Sequence, residues 1–185
     1  CNAARCGIGH NGDVQTACVA VALDCAAGLC HLHQTENTFL HTGTTGSGNQ
    51  GLTASLPVIA AAKWLKCDQE QLYRALALSE LVTIHVKEYI GKLSALCGCG
   101  IAASIGSACG ITYLLGGNDN NMIYAIQNMV ADISGMICDG AKYGCALKIA
   151  TSVAGAVQCA YLAMEEAQVP GGDGIVNQDV EKSVR

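Results

Sequence analysis

Between Lys92 and Asp119 the chain carries no charged side chain. A run of that length belongs inside a bilayer or inside a protein. Its make-up decides between them. Gly, Ser, Ala and Cys dominate, large apolar residues are few, and neither an aromatic belt nor a basic cluster brackets the run. It therefore reads as a buried central helix over about 97–115, stopped by Gly116-Gly117, rather than as the core of a membrane or assembly subunit. Small side chains let neighbouring helices come close. With Pro rare and Ala and Leu plentiful, the expected class is all-α, a single compact helical domain around a buried Gly/Ala/Cys-rich helix.

The chain is long enough for such a core. Of its 185 residues 51% are apolar and 14% charged, the reverse of a disordered chain. A net charge of −5 gives nothing to attract nucleic acid or an anionic membrane surface. Twelve cysteines would mean a disulfide framework in a small secreted protein. Here the chain is too long and too apolar to need one, and residues 1–12 hold no apolar run of the kind that opens a secreted chain. A reducing, cytoplasmic setting is expected, in which cysteine is either a small core hydrophobe or a metal ligand.

Residues 1–43 form an irregular N-terminal segment, within which 14–30 is a possible helix, and residues 44–185 form the helical domain. Residues 31–50 read as loop. A helix is expected over 54–66 with Pro57 in its first turn. Asp68 opens the next, with Gln71 completing a capping box and Leu72, Leu76 and Leu78 giving an apolar face. The β-branched run 81–89 is kept helical. Further helices are expected over 119–134, stopped at Gly135, and over 145–167, ended by Pro170-Gly171-Gly172. A short one closes the chain at 179–185. No internal repeat is present.

The cysteines fall into two populations. Cys18, Cys25, Cys67, Cys109 and Cys159 stand singly among apolar neighbours and read as core. Cys97-Gly98-Cys99-Gly100 and Cys138-Asp139-Gly140 with Gly144-Cys145 sit beside glycines at helix starts or breaks, where backbone can approach a bulky ligand and helix dipoles favour thiolates. Cys138 and Cys145 are too far apart for one helical turn, so a loop must join them. Soft thiolates without histidine select Fe–S or Zn, and no CxxC knuckle pairs are present to favour zinc. The loop Ser47-Gly48-Asn49-Gln50 leads into a helix and offers more donors than a cap needs, which suits a carboxylate or phosphate; a capping turn is the plainer reading. It is neither a Walker loop nor a Rossmann fingerprint. His85 and Lys87 lead towards Cys97, and either could be a base; a satisfied His and a solvated Lys are the alternatives. Asp139 could hold an amino group or cap the helix near 141.

The strings GSGNQGLTASLPVIAAA (46–62), LVTIHVKEYIGKLSALCGCGIAA (81–103), YLLGG (113–117), MICDGAKYGCALK (136–148) and DGIV…DVEK (173–182) closely resemble the L-cysteine desulfidase family, which is related to the α-chain of iron–sulfur L-serine dehydratases. The resemblance covers roughly residues 44–185. It implies an all-helical domain that holds a [4Fe–4S] cluster by three cysteines, one iron being left open for substrate. The ligands would be Cys138, Cys145 and one of Cys97 and Cys99, with Cys99 preferred. Ser47, Gly48, Asn49 and Gln50 would receive the substrate carboxylate. Members of that family are about twice this length and carry a further N-terminal cysteine motif that this sequence lacks. A fragment or split subunit is therefore expected, associating with a missing N-terminal portion or with copies of itself.

The implied reaction is β-elimination from L-cysteine or L-serine to pyruvate and ammonia, with the open iron as Lewis acid and His85 or Lys87 among the possible bases. A cluster so exposed would be lost in air. The competing expectation is a zinc or structural-thiol subunit without catalysis, or an inactive fragment.

Overall fold

The structure, a computed structural model, describes residues 47–91, 94–140 and 144–185. The expectations for residues 1–46, including their five cysteines and four histidines, lie outside the described residues. Among these residues there are six helices and no strand: α1 Gly48–Trp64, α2 Gln69–Ile90, α3 Ala102–Leu114, α4 Asp119–Ile133, α5 Gly144–Met164 and α6 Val180–Ser183. The all-α class expected from the sequence is the observed one.

The charge-free run supplies the centre. Every residue of α3 except Tyr113 is buried, and α1, α2, α4 and α5 all pack on it. Small residues make this possible. A methyl group at Gly106 would overlap the Thr83 hydroxyl and the Ser79 carbonyl of α2. One at Gly110 would lie 2.8 Å from Val58 and 3.0 Å from the Ala75 carbonyl. The inward face of α2 is accordingly Ala75, Ser79, Thr83 and Val86, while Leu72 and Leu76 of the expected leucine face pack at the margin. Apolar side chains fill two clusters, one joining α1, α3 and α5 around Val58, Ile111 and Val153, the other joining α3, α4 and α5 around Ile105, Met129 and Ala156.

Local signals set most helix ends. Asp68 with Gln71 and Asn118 with Asn121 form reciprocal capping boxes. Gly116 and Gly135 take positive φ of 89° and 87° past the ends of α3 and α4, as left-handed caps do. Three boundaries differ from expectation. Helix α1 begins six residues before 54, so Pro57 lies well inside it, after a turn in which the Thr53 and Ser55 hydroxyls donate to the Asn49 and Gly51 carbonyls. Helix α3 begins at Ala102, not 97, because residues 95–97 are engaged elsewhere. Helix α5 ends at Met164, a few residues early, and Glu166 adopts a φ of 58°.

That engagement of 95–97 positions the chemistry. Leu96 and Ile137 form an antiparallel bridge, with the Cys97 N–H donating to the Met136 carbonyl (2.9 Å) and the Cys138 N–H to that of Ala95 (2.7 Å). The turn before α3 and the segment after α4 are thereby stitched together. By length and composition α5 could cross a bilayer, but half of its apolar window is buried within the molecule. The helix of the charge-free run is only 13 residues long.

Candidate active site

Helix α1 opens without a capping side chain. Its N-cap, Ser47, is extended, makes no side-chain bond to the first turn, and no acidic residue stands in that turn. Its hydroxyl instead meets Cys99, with Oγ and Sγ 3.3 Å apart. The Gly51 N–H returns to the Ser47 carbonyl at 3.3 Å, and the Ser47 side chain caps none of the N–H groups of that turn. Burial pushes the Cys99 thiol up, the Ser47 bond opposes this, and charge on Cys97, Cys145 and Cys138 adds to the rise.

Gly98 brings α2 to the same place. A Cβ at Gly98 would lie 2.7 Å from Lys87 Nζ and 3.2 Å from Gln50 Oε1. The lysine ammonium, the buried Gln50 amide and the Gly98 backbone therefore converge where α1 starts. No carboxylate of the described residues forms an ion pair with Lys87. His85, two residues earlier, faces about 200° round the helix from Lys87. It is exposed, 3.0 Å from Glu181, and edge-on to Tyr89. Of the two possible bases only Lys87 reaches the site.

The thiols approach from two loops and from the first turn of α5. Cys97 is 5% exposed and accepts the Gly100 N–H at 3.4 Å. Behind it, a Cβ at Gly100 would meet Met136 Sδ, Ser152 Oγ and Cys97 Sγ, so glycine is what lets this turn close. Burial raises the Cys97 thiol, as does charge on Cys138 and Cys145, while the Gly100 N–H and the Lys148 ammonium act to lower it. Cys138 is exposed and Cys145 half-buried, its Sγ 3.3 Å from the Gly140 carbonyl. Neither lies on the far side of the molecule or in a dry interior. Cys109 and Cys159, expected as core, are buried, and both thiols are pushed up to about 12, chiefly by burial.

Asp139 has a partner the sequence reading did not assign. Its Oδ1 lies 2.5 Å from Lys148 Nζ, which also donates to the Ile137 carbonyl at 2.9 Å. Lys148 is held above the usual lysine range by the Asp139 hydrogen bond first, then by the charge of Asp139 and of Cys97 and Cys145. Its one legible signal was its place three residues after Cys145, on the same face of a helix.

Among the described residues no three His, Cys, Asp or Glu side chains gather closely enough to hold a single metal ion. Cys97 and Cys99 stand before α3, Cys138 on the segment stitched to it and Cys145 in the first turn of α5, within electrostatic reach of one another. Thiols are the donors an iron–sulfur cluster takes, so the donor set fits such a group in kind.

A family model described as serine dehydratase alpha chain matches residues 42–185. A "UPF0597 protein" of Clostridium perfringens is 55% identical over 141 residues, which is 76% of this chain and 33% of that one. Proteins of the same name from Parabacteroides distasonis (51% over 140 residues, 76% of this chain and 32% of that one) and Clostridioides difficile (50% over 142 residues, 77% and 33%) are similar. The chain thus spans about a third of the length of these curated relatives. No solved structure matches it.

Proposed function

Since the chain belongs to the serine dehydratase alpha-chain family, we propose that it is the cluster-bearing part of a lyase that eliminates the β-substituent of L-cysteine or L-serine, yielding pyruvate and ammonia. One convergence carries this reading: the turn holding Gly98 and Cys99 meets the start of α1 and the Lys87 cation at one place, through Ser47, Gln50 and Lys87.

Cys97, Cys138 and Cys145 would hold a [4Fe–4S] cluster. Cys97 is favoured over Cys99 because its backbone is stitched to the segment carrying Cys138, whereas the Cys99 thiol is engaged by Ser47. When bound, such a cluster supplies a Lewis-acidic iron for the leaving thiol or hydroxyl.

The chain's own residues do the rest. The N–H groups of Gly48 and Asn49 at the start of α1 receive the substrate carboxylate, and the Lys87 ammonium neutralises it. Gln50, 1% exposed, fixes the orientation of the bound group. The Cα proton leaves to a base as the Cβ–S or Cβ–O bond breaks, and the departing group takes that bond's electron pair. With Lys87 engaged as the ammonium, the base comes from the part of the protein that the relatives have beyond the match. The resulting aminoacrylate tautomerises and adds water, releasing ammonia. Asp139, already bonded to Lys148, is not assigned to the substrate. The free thiols suit a reducing compartment, and we place the protein in the cytoplasm.

The test is anaerobic reconstitution with iron and sulfide, followed by pyruvate measurement from L-cysteine and L-serine. It should be run on this chain alone and with a polypeptide matching the remainder of a relative. A brown, active protein supports the reading. A colourless protein that binds zinc instead would replace it with a structural-thiol role.

A further inference from the structure

We propose that Lys148 is a positioning residue, a latch that fixes the Cys138 loop in readiness for ligation. This rests on the thiol-site reading above. Cys138 is exposed and lies in a segment without regular structure, so holding its sulfur in one place costs conformational entropy unless the backbone is already tied down. Lys148 ties it on both flanks. Its Nζ takes the Ile137 carbonyl on one side (2.9 Å) and the Asp139 carboxylate on the other (2.5 Å). The Cys138 amide is itself bonded to Ala95. Residues 137–139 are thus held by three bonds that do not involve the Cys138 sulfur.

The latch also couples the two loops. Lys148 follows Cys145 by three residues on α5, so one helical turn presents a thiol and the clasp for another thiol on the same face. The lysine side chain is only 25% exposed, against 54% for Asp139, so it lies under the loop rather than out in solvent. Its charge reaches Cys97 and Cys145 and so opposes repulsion among sulfurs gathered round one group.

The experiment compares Lys148→Met, Lys148→Arg, Asp139→Asn and Cys138→Ser with the unaltered chain. Two quantities are read: amide hydrogen exchange over residues 136–140 in the metal-free protein, and iron and sulfide bound per chain after anaerobic reconstitution at limiting iron. Circular dichroism checks the fold. Lys148→Met should exchange faster over 136–140 with α3 protection unchanged, and load about tenfold less cluster, the usual cost of losing an outer-shell partner. Lys148→Arg, able to span both acceptors, should recover most of the loading, and Asp139→Asn should fall between. A folded Lys148→Met protein with normal exchange and normal loading overturns the latch. If Lys148→Met fails to fold, a folded Asp139→Asn protein identical to the unaltered chain overturns it equally. If Cys138→Ser loads a full cluster, the thiol-site reading fails instead, whatever Lys148 does.

Discussion

Gly98 is the point where three helices' worth of sequence come within atomic contact. Its missing side chain leaves room for Lys87 Nζ, the far end of a flexible chain, so Gly98→Ala should fold normally. The ammonium must then move away from Gln50 and from the start of α1. The expected result is a melting temperature within a few degrees of the unaltered protein and at least about tenfold weaker binding of the amino-acid substrate, since one charge-assisted bond is worth about 1.5–3 kcal/mol. Calorimetric titration of the reconstituted protein checks both. A second residue-scale expectation concerns pH. The Cys109 thiol is 1% exposed and raised to about 12, from 9.0 in the unfolded chain. Below pH 9 both states keep the proton, and stability is unaffected. Between 9 and 12 the unfolded state sheds its proton while the folded one retains it, so stability falls as pH rises, by up to a few kcal/mol. Denaturant titrations across that range should show a downward alkaline limb, shallower in Cys109→Ala.

At the level of elements, what was legible in the sequence was what is local. The capping box at Asp68 and the glycine stops after α3 and α4 each depend on residues within one turn, and they stand where such signals put them, while the equally local Asn118–Asn121 box was not among the expectations from sequence. The missing charge between Lys92 and Asp119 marked α3 as central, because burial tolerates few unpaired charges. The boundaries that moved were set by distant partners. The start of α3 yields to backbone bonds with residues 136–138, and Pro57 lies mid-helix because α1 begins beside the thiol loop. In the site, glycine-flanked cysteines could be seen one by one, but the tie between Lys148 and residues 137 and 139 could not, since nothing local announces a fold-back across a loop. The small-residue crossing of α2 and α3 is equally non-local and equally testable. Gly106→Ala sets a methyl against a backbone carbonyl that cannot move without shifting the helix, so a loss of about 2–3 kcal/mol or more is expected in urea titration. Asp68→Ala, which removes only a cap, should cost about 1 kcal/mol.

At the scale of the whole molecule, large apolar side chains stand in water around the stitched loops. Ile137 is 64% and Leu147 72% exposed, and Leu96 is exposed across the bridge from Ile137. Leu96 and Ile137, paired across the bridge, adjoin Cys97 and Cys138, whereas Leu147 lies about 200° round α5 from Cys145, so the apolar surface beside the thiols is that of the bridge pair. The relatives, 50–55% identical in the matched third, carry two further thirds of polypeptide. If that remainder covers this face, it would shield the thiols from solvent as it buries the apolar residues, and the proposed site would be completed there. Leu96→Glu with Ile137→Glu should therefore leave the chain's own melting within a few degrees, because neither side chain belongs to either core cluster. Binding to a polypeptide corresponding to the relatives' remainder should weaken at least tenfold, since two buried aliphatic side chains contribute about 1.5–3 kcal/mol each and two buried glutamates oppose docking. Sedimentation velocity of the mixed polypeptides reads the complex directly. Undiminished association of the double variant would move the docking face elsewhere, and loss of association with retained melting would place the remainder of the family's chain over the sulfur loops.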